Sequence, residues 1–286
     1  MATPERPILR YHGGKWVLAP WIIAHMPAHR VYVKPFGGAA SVLLRKPRAY
    51  SEVYNDLDGE VVNLFRVARD EGEKLRKLLE MTPFSRQDYL TAWEPANDPA
   101  EQARRTVVRS FMGFGSAAVT KQRAPESRSR GGLALTGFRA NSNKSGTTPA
   151  HDWKNLPDVF PAIIDRLRGV VIENRPAEQI IASHDGLETL HYVDPPYVAA
   201  TRDKGGDYRH EMSDDDHRLL AVVLRGVKGM VMLSGYDCAL YGELYEGWQR
   251  IERTEPAEDA RKRVEFLWFN AAAWERRPQM SLAGAA

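Results

Sequence analysis

The stretch His191 to Ala200, HYVDPPYVAA, places an acid, two prolines and an aromatic directly after a short apolar run that reads as a strand. A strand entering Asp194 delivers its carboxylate to the C-terminal edge of a parallel sheet, where open α/β folds put their ligands. Pro195 and Pro196 carry no backbone N–H and each fixes φ, so the carbonyls point in constrained directions instead of continuing a ladder. Tyr197 adds a flat ring suited to stacking on another planar group. Together these features suit an exocyclic amino group on a nucleobase, whose N–H donors need acceptors. Such a nitrogen is a poor nucleophile because its lone pair is delocalised into the ring. Holding both N–H groups favours the pyramidal form that attacks an electrophile, and no covalent nucleophile is required. The same residues also fit a proline-rich strand end whose acid caps a helix, so context has to decide.

Two other stretches supply context. VKPFGGAAS has a Gly-Gly turn at Gly37 and Gly38, where backbone can approach a small ligand closely, and Asp56 ends the next strand, placed to accept ribose hydroxyls. Tyr11 to Trp16, YHGGKW, is a second Gly-Gly loop with an aromatic on each side and a lysine, Lys15, able to pair with a carboxylate. Each is weak alone, since a lone Gly-Gly is usually a turn.

The elements that must position these residues are legible as alternation. RVYVKPFGGAASVLLRKP reads as strand, tight loop, helix; AYSEVYND reads as a second strand; GEVVNLFRVARDEGEKLRKLLEM has apolar residues at helical spacing. GVVIEN, TLHYVD and GMVMLSGY are further strands, separated by helical stretches such as SDDDHRLLAVVLRGV. The pattern predicts a mostly parallel, twisted α/β sheet covered by helices on both faces. WQRIERTEP and RVEFLWFN are expected to pair as an antiparallel hairpin at its edge.

Residues 81–151 break the alternation. Two helical stretches, SRQDYLTAW and PAEQARRTVVRSFM, lead into a long segment rich in Gly, Ser, Thr and Asn. Between Lys121 and Lys144 the basic residues are Lys121, Arg123, Arg128, Arg130, Arg139 and Lys144, against the single acid Glu126. So long a loop is uncommon unless functional or disordered; it reads either as a solvated loop or as a nucleic-acid contact surface. The expected organisation is a catalytic body of residues 1–80 and 152–286 with an inserted lobe at 81–151.

Composition sets outer limits. A formal charge of +3 over 286 residues permits nucleic acid without arguing strongly for it. A single cysteine, Cys238, rules out an internal disulfide, no Cys/His spacing resembles a zinc site, and a metal is not expected. No segment approaches the ~20 apolar residues that span a bilayer, and no signal-peptide core is present, so the expected place is a reducing cytoplasm without membrane contact.

In their order along the chain these motifs resemble the DNA adenine methylase (Dam) class of S-adenosylmethionine-dependent methyltransferases, most closely its phage and prophage members. YHGGKWVLAPWI is similar to that family's N-terminal cofactor motif, YVKPFGGAASVLL to the cofactor loop, YNDLDGEVVNLFRVARD to the ribose-binding region and YVDPPY to the catalytic motif; DDDHRLLAVVL, MLSGYD and VEFLWFN resemble its closing segments. The resemblance implies a Rossmann-like methyltransferase fold with a target-recognition insertion, S-adenosylmethionine as cofactor and double-stranded DNA as partner, inside a bacterial host cell. It carries Tyr11, Lys15, Asp56 and Asp194 over as cofactor contacts, with Phe36, Gly37 and Gly38 as the methionine-side loop. It makes Asp194, Pro195, Pro196 and Tyr197 the catalytic motif. The expected DNA contacts, Arg123, Arg128, Arg130, Arg139 and Lys144, come instead from the basic charge of the inserted segment. Oligomeric state is not given, a monomer being slightly favoured.

Three positions depart from the pattern. Lys34 stands where the family usually has an acid, which would bring a positive charge near the cofactor's ammonium and sulfonium unless the lysine turns away or meets an acid. Gly-Gly-Ala replaces a common third glycine, and FNAAA replaces Asn-Pro. The departure at Lys34 motivates an alternative, a cofactor-impaired, non-catalytic DNA-binding protein on the same scaffold. N4-cytosine methylation uses the same amino-group chemistry, but the motif's first letter tends to be Ser there. C5-cytosine methylation needs a cysteine nucleophile, usually after proline, and Cys238 lies in GYDCALY. His12, His191 and His217 receive no catalytic role, and His210 with Glu211 is expected to close over the substrate.

Overall fold

The structure, a computed structural model, describes residues 3–115, 137–140, 147–202, 208–256 and 262–278. Its elements run α1 (Ala19–Ala24), β1 (Val31–Lys34), α2 (Ser41–Arg45), β2 (Ser51–Asn55), α3 (Gly59–Asp70), α4 (Gly72–Glu80), α5 (Arg86–Thr91) and α6 (Pro99–Met112). They continue with α7 (Pro149–Lys154), α8 (Phe160–Leu167), β3 (Val170–Glu173), α9 (Ala177–Ser183), β4 (Thr189–Val193) and α10 (Asp214–Gly226). The chain then forms β5 (Met230–Gly235), α11 (Ala239–Leu244), β6 (Gln249–Pro256), β7 (Lys262–Phe269) and α12 (Ala271–Arg276).

The strands form one seven-stranded sheet in the order β3-β2-β1-β4-β5-β7-β6. The first five in that order are parallel; β7 pairs antiparallel with both β5 and β6, so the C-terminal hairpin enters with β7 inside and β6 at the edge. This is the Rossmann-like arrangement that the alternation and the resemblance imply. Every residue of β4 and β5 is buried, as strands covered on both faces must be. The strand period of two sorts them: Leu190, Tyr192, Met230 and Met232 join one apolar cluster, and Val193, Val231 and Leu233 join the other.

Local signals explain most helix starts. Asp58 caps α3 by accepting from the Glu60 amide, Asp98 caps α6 just before Pro99, and Ser213 with Asp216 forms a reciprocal capping box on α10. The single helix expected from Gly59 to Met81 is instead two, α3 and α4, broken at Glu71. The break lets Gly72 sit against Ile164 of α8, where a Cβ would overlap that side chain. Helices α5 and α6, in the segment expected as an inserted lobe, bury Tyr89, Val107 and Phe111 in the same cluster as the sheet. No helix among the described residues is long and apolar enough to cross a membrane.

What positions the site is the neighbouring of β1 and β4. The chain leaving β1 proceeds to β2 on one side, and the chain leaving β4 proceeds to β5 on the other. The two exit loops therefore diverge and leave a crevice at the C-terminal edge of the sheet, the usual ligand position in such folds.

Candidate active site

A cavity of about 410 Å³ occupies that crevice, within the ~300–1,000 Å³ of small-ligand sites. Its wall carries Tyr11, Lys15, Phe36, Gly37, Gly38, Asp56 and Asp194. Every residue expected to touch the cofactor is thus brought to one surface. Lys34 and Pro196 line it too.

The glycine loop is held by hydrogen bonds. Asn55 donates from Nδ2 to the carbonyls of Pro35 at 2.8 Å and Arg175 at 2.9 Å, fixing the exit of β1 to that of β2. Gly38, at φ +50°, donates its N–H to Asp56 Oδ2 at 2.7 Å, and its carbonyl accepts from the Tyr54 hydroxyl at 2.7 Å. Gly37 has no room for a side chain: a Cβ there would overlap the Tyr54 ring and stand 2.7 Å from the Asn55 carbonyl oxygen. Asp56 also accepts from the Asp58 amide at 2.8 Å through Oδ1. Burial raises its carboxyl pKa against these amide donors, and each oxygen keeps a lone pair for a ligand. A glycine cradle beside a carboxylate with spare acceptors suits the ribose of a nucleoside, so the nucleoside half of S-adenosylmethionine fits these residues.

Asp194 is the hub of the reactive end. Lys15 Nζ lies 3.1 Å from its Oδ1 and donates to the Gly13 carbonyl at 3.0 Å; Lys34 Nζ lies 3.5 Å from its Oδ2. Burial works against the ionised carboxylate, but the two lysines outweigh it and hold the Asp194 pKa below the usual range. Burial likewise works against the Lys15 ammonium, and Asp194 with Glu265 outweighs it to raise that pKa. Lys34 goes the other way: burial lowers its pKa, opposed by Asp194. The lysine that could have faced the cofactor unpaired has met an acid, though the acid is the proposed catalytic one.

Tyr197 is placed differently from its expected use as a stacking platform. It is buried, the Lys15 ammonium lies 4.6 Å over its ring, and Tyr236 meets it edge-on with ring centroids 4.7 Å apart. Its hydroxyl stands 3.4 Å from Asp194 Oδ1 and donates to Glu265. The geometry offers the site the hydroxyl of Tyr197. Glu265, on β7, is buried, and its Oε1 is 3.7 Å from Lys15 Nζ. The sequence reading missed it, and its one signal is a lone acid inside the apolar run of VEFLWF.

The segment after β4 covers the cavity. Arg209 reaches Asp58 Oδ1 at 2.9 Å and Glu60 at 3.3 Å, across the rim from its own strand, and the Tyr208 ring packs on His12. His210 and Glu211 line the cavity, as expected of that segment, but Arg209 makes the bridge. Of the residues expected to contact DNA, Arg139 is half-buried, with its amide donating to the Met112 carbonyl at 2.8 Å. Arg123, Arg128, Arg130 and Lys144 lie outside the described residues.

Residues 11–258 match the family of D12 class N6 adenine-specific DNA methyltransferases. The chain belongs to that family. Asp194, Gly37 and Asp56, which line one cavity, all fall inside the matched residues. The chain is also 27% identical over 275 residues to the Type II methyltransferase M1.LlaDCHI of Lactococcus lactis subsp. cremoris, covering 87% of this chain and 88% of the relative. The family match spans all the motifs from Tyr11 to Tyr197, and therefore both walls of the crevice.

Proposed function

We propose that this D12 class protein alkylates N6 of adenine at specific sites in double-stranded DNA, with S-adenosylmethionine as the family's cofactor, in the cytoplasm of a bacterial cell. The observation that supports this most directly is Asp194, largely withdrawn from solvent just after β4 and held below the usual carboxylate range by Lys15 and Lys34, facing the same cavity as the Gly37–Gly38 cradle and Asp56. S-adenosylmethionine supplies an electrophilic carbon on a sulfonium. Phe36, Gly37 and Gly38 hold its methionine side, Asp56 its ribose, and Tyr11 and Lys15 are further contacts, with Lys15 also orienting Asp194. Asp194 and the proline carbonyl beside it accept the N–H groups of adenine and concentrate the nitrogen lone pair on the side facing the sulfonium. An adenine inside a duplex cannot reach a carboxylate in this crevice, so it leaves the stack at a cost of a few kcal/mol. Residues 81–151, with Arg123, Arg128, Arg130, Arg139 and Lys144, are the proposed target-recognition part, and the Type II relative supports site-specific action.

The test is to incubate duplex DNA with the protein and cofactor, digest to nucleosides and ask by mass spectrometry which base has gained mass. Adenine modified at N6 is expected, with a loss on the order of 10²-fold or more in Asp194→Ala, which deletes a preorganised partner of the reacting group. Mass gained on cytosine alone would overturn the reading.

A further inference from the structure

We infer that Lys34 reads the group being transferred, and that this site prefers a sulfonium cofactor whose transferred carbon carries a carboxylate, an S-carboxymethyl counterpart of S-adenosylmethionine. The inference rests on the adenine-N6 reading of the site and changes what is placed on that nitrogen.

Lys34 is the last residue of β1 and only 3% exposed, yet it lines the cavity. Its Nζ has no hydrogen-bond partner among the described residues. The nearest acid, Asp194 Oδ2, is at ion-pair distance and outside hydrogen-bond geometry, and the other neighbour is the face of Tyr192, 4.5 Å away. Lys15, its companion on Asp194, is differently placed: it has the Gly13 carbonyl, Asp194 and Glu265. A buried ammonium with three donors, whose one acid lies at ion-pair distance without a formed hydrogen bond, is costly unless a ligand completes it. The structure therefore calls for an acceptor, preferably anionic, entering from the cavity beside Asp194.

Position decides which part of a ligand that is. Asp194 holds the amino group, and the transferred carbon must travel between that nitrogen and the sulfur, so it passes next to Asp194 and hence next to Lys34. A methyl group there offers no acceptor, and its sulfonium adds a like charge. A carboxymethyl group offers two oxygens and an opposite charge at the same place. The methionine α-carboxylate is the same chemistry but lies several bonds beyond the sulfur, away from the nitrogen. In the reaction the amino nitrogen's lone pair forms the new N–C bond while the C–S bond breaks with its electrons passing to sulfur. A neutral thioether leaves, the surplus N–H proton passes to solvent, and the base becomes N6-carboxymethyladenine. No oxidant or reductant is consumed.

Calorimetric titration of the full chain with S-adenosylmethionine and with its S-carboxymethyl analogue tests this directly. The analogue should bind the parent protein about ten-fold tighter or more, as a charge-assisted hydrogen bond gained would give, and Lys34→Gln should abolish the preference. With both cofactors present, DNA incubated with the parent should carry N6-carboxymethyladenine in excess over N6-methyladenine. The inference is overturned if the parent binds S-adenosylmethionine as tightly as the analogue. It is equally overturned if Lys34→Gln weakens both ligands alike, which would assign the lysine to the α-carboxylate they share. Should Lys34→Gln fail to fold, the comparison on the parent protein decides alone. If neither cofactor marks adenine, the proposed function fails while the binding preference still judges this inference.

Discussion

Tyr197 donates its hydroxyl hydrogen to Glu265, a residue 68 positions further along the chain, and so ties the loop carrying Asp194 to β7. Burial raises the pKa of the phenol, helped by Glu265 and Asp194, so Tyr197 remains a donor across the physiological range. Burial also raises the Glu265 carboxyl, against the pull of Lys15. The outcome is a chain of contacts, Glu265 to Tyr197 and Glu265 to Lys15 to Asp194, that fixes the Asp194 carboxylate from behind.

If the hydroxyl is the working part of Tyr197, Tyr197→Phe should lose nearly as much activity as Tyr197→Ala. Removing the hydroxyl leaves the buried Glu265 short of a donor, a cost of about 1–3 kcal/mol. Glu265→Gln keeps an acceptor for the hydroxyl but takes a negative charge from beside Lys15. Steady-state kinetics should show kcat falling more than cofactor KM changes in each single variant. The Tyr197→Phe/Glu265→Gln double variant should cost less than the sum of the two. Full activity in Tyr197→Phe with loss in Tyr197→Ala would return the ring to the stacking role.

The cofactor cradle gives a sharper steric expectation. Gly37→Ala puts a methyl group into the Tyr54 ring and against the Asn55 carbonyl, and the latter is backbone that cannot swing aside. The loop has to shift, taking with it the Gly38 amide that binds Asp56. Cofactor affinity should fall by roughly ten- to a hundred-fold, in line with ~1–3 kcal/mol for overpacking. Gly115→Ala is a control: a Cβ there meets nothing within 4 Å among the described residues. It should leave titrations with cofactor unchanged, and equal losses in the two variants would dismiss the cradle.

Asp194, Lys15, Gly37, Gly38 and Asp56 were readable in the sequence because each sits at a strand end or tight loop with a local backbone signature, and strand alternation alone carries such ends to one edge. Glu265 was not readable in that way. It reaches Tyr197 because β7 inserts between β5 and β6, pairing Phe266 with Gly235, and no local pattern announces which strand takes that place. The break between α3 and α4 was hidden for a similar reason: helical periodicity continues through Gly72, and only Ile164 of α8 explains it. Lys34 was conspicuous as a charge out of place, but that it would meet Asp194 depended on β1 and β4 lying side by side.

His191 makes acid stability a readout of β4, the strand that leads into Asp194. It is fully buried in β4, and burial pushes its pKa down to about 4, against the attraction of Asp185 at 3.6 Å. In the unfolded chain the imidazole takes its proton near 6.5, well before the folded form does. Its contribution to stability is therefore full above that value and declines as pH falls towards about 4, by about 3 kcal/mol in all. Melting temperature should drop across this window, and His191→Gln should flatten the drop whatever its absolute stability. An unchanged slope in the variant would place the acid sensitivity elsewhere.

Arg209 closes the cavity from the far side. Its guanidinium spans from the segment after β4 to Asp58 at the start of α3, both lining the cavity, and is expected to slow the departure of a bound cofactor. Asp58 is 1% exposed and its Oδ2 has no hydrogen-bond partner among the described residues, so losing Arg209 strands a buried carboxylate as well as opening the rim. Arg209→Ala should weaken cofactor binding by about 2 kcal/mol, roughly thirty-fold, with most of the change in the dissociation rate. Arg209→Lys keeps the charge without the planar fork and should recover only part of it, because one ammonium does not match the geometry of contacts to both Asp58 and Glu60. Stopped-flow displacement of a fluorescent cofactor analogue measures the rate directly. Dissociation as slow in Arg209→Ala as in the parent would mean that the rim is held shut by Tyr208 packing on His12, and the arginine would then be a structural bridge with no part in retaining the cofactor.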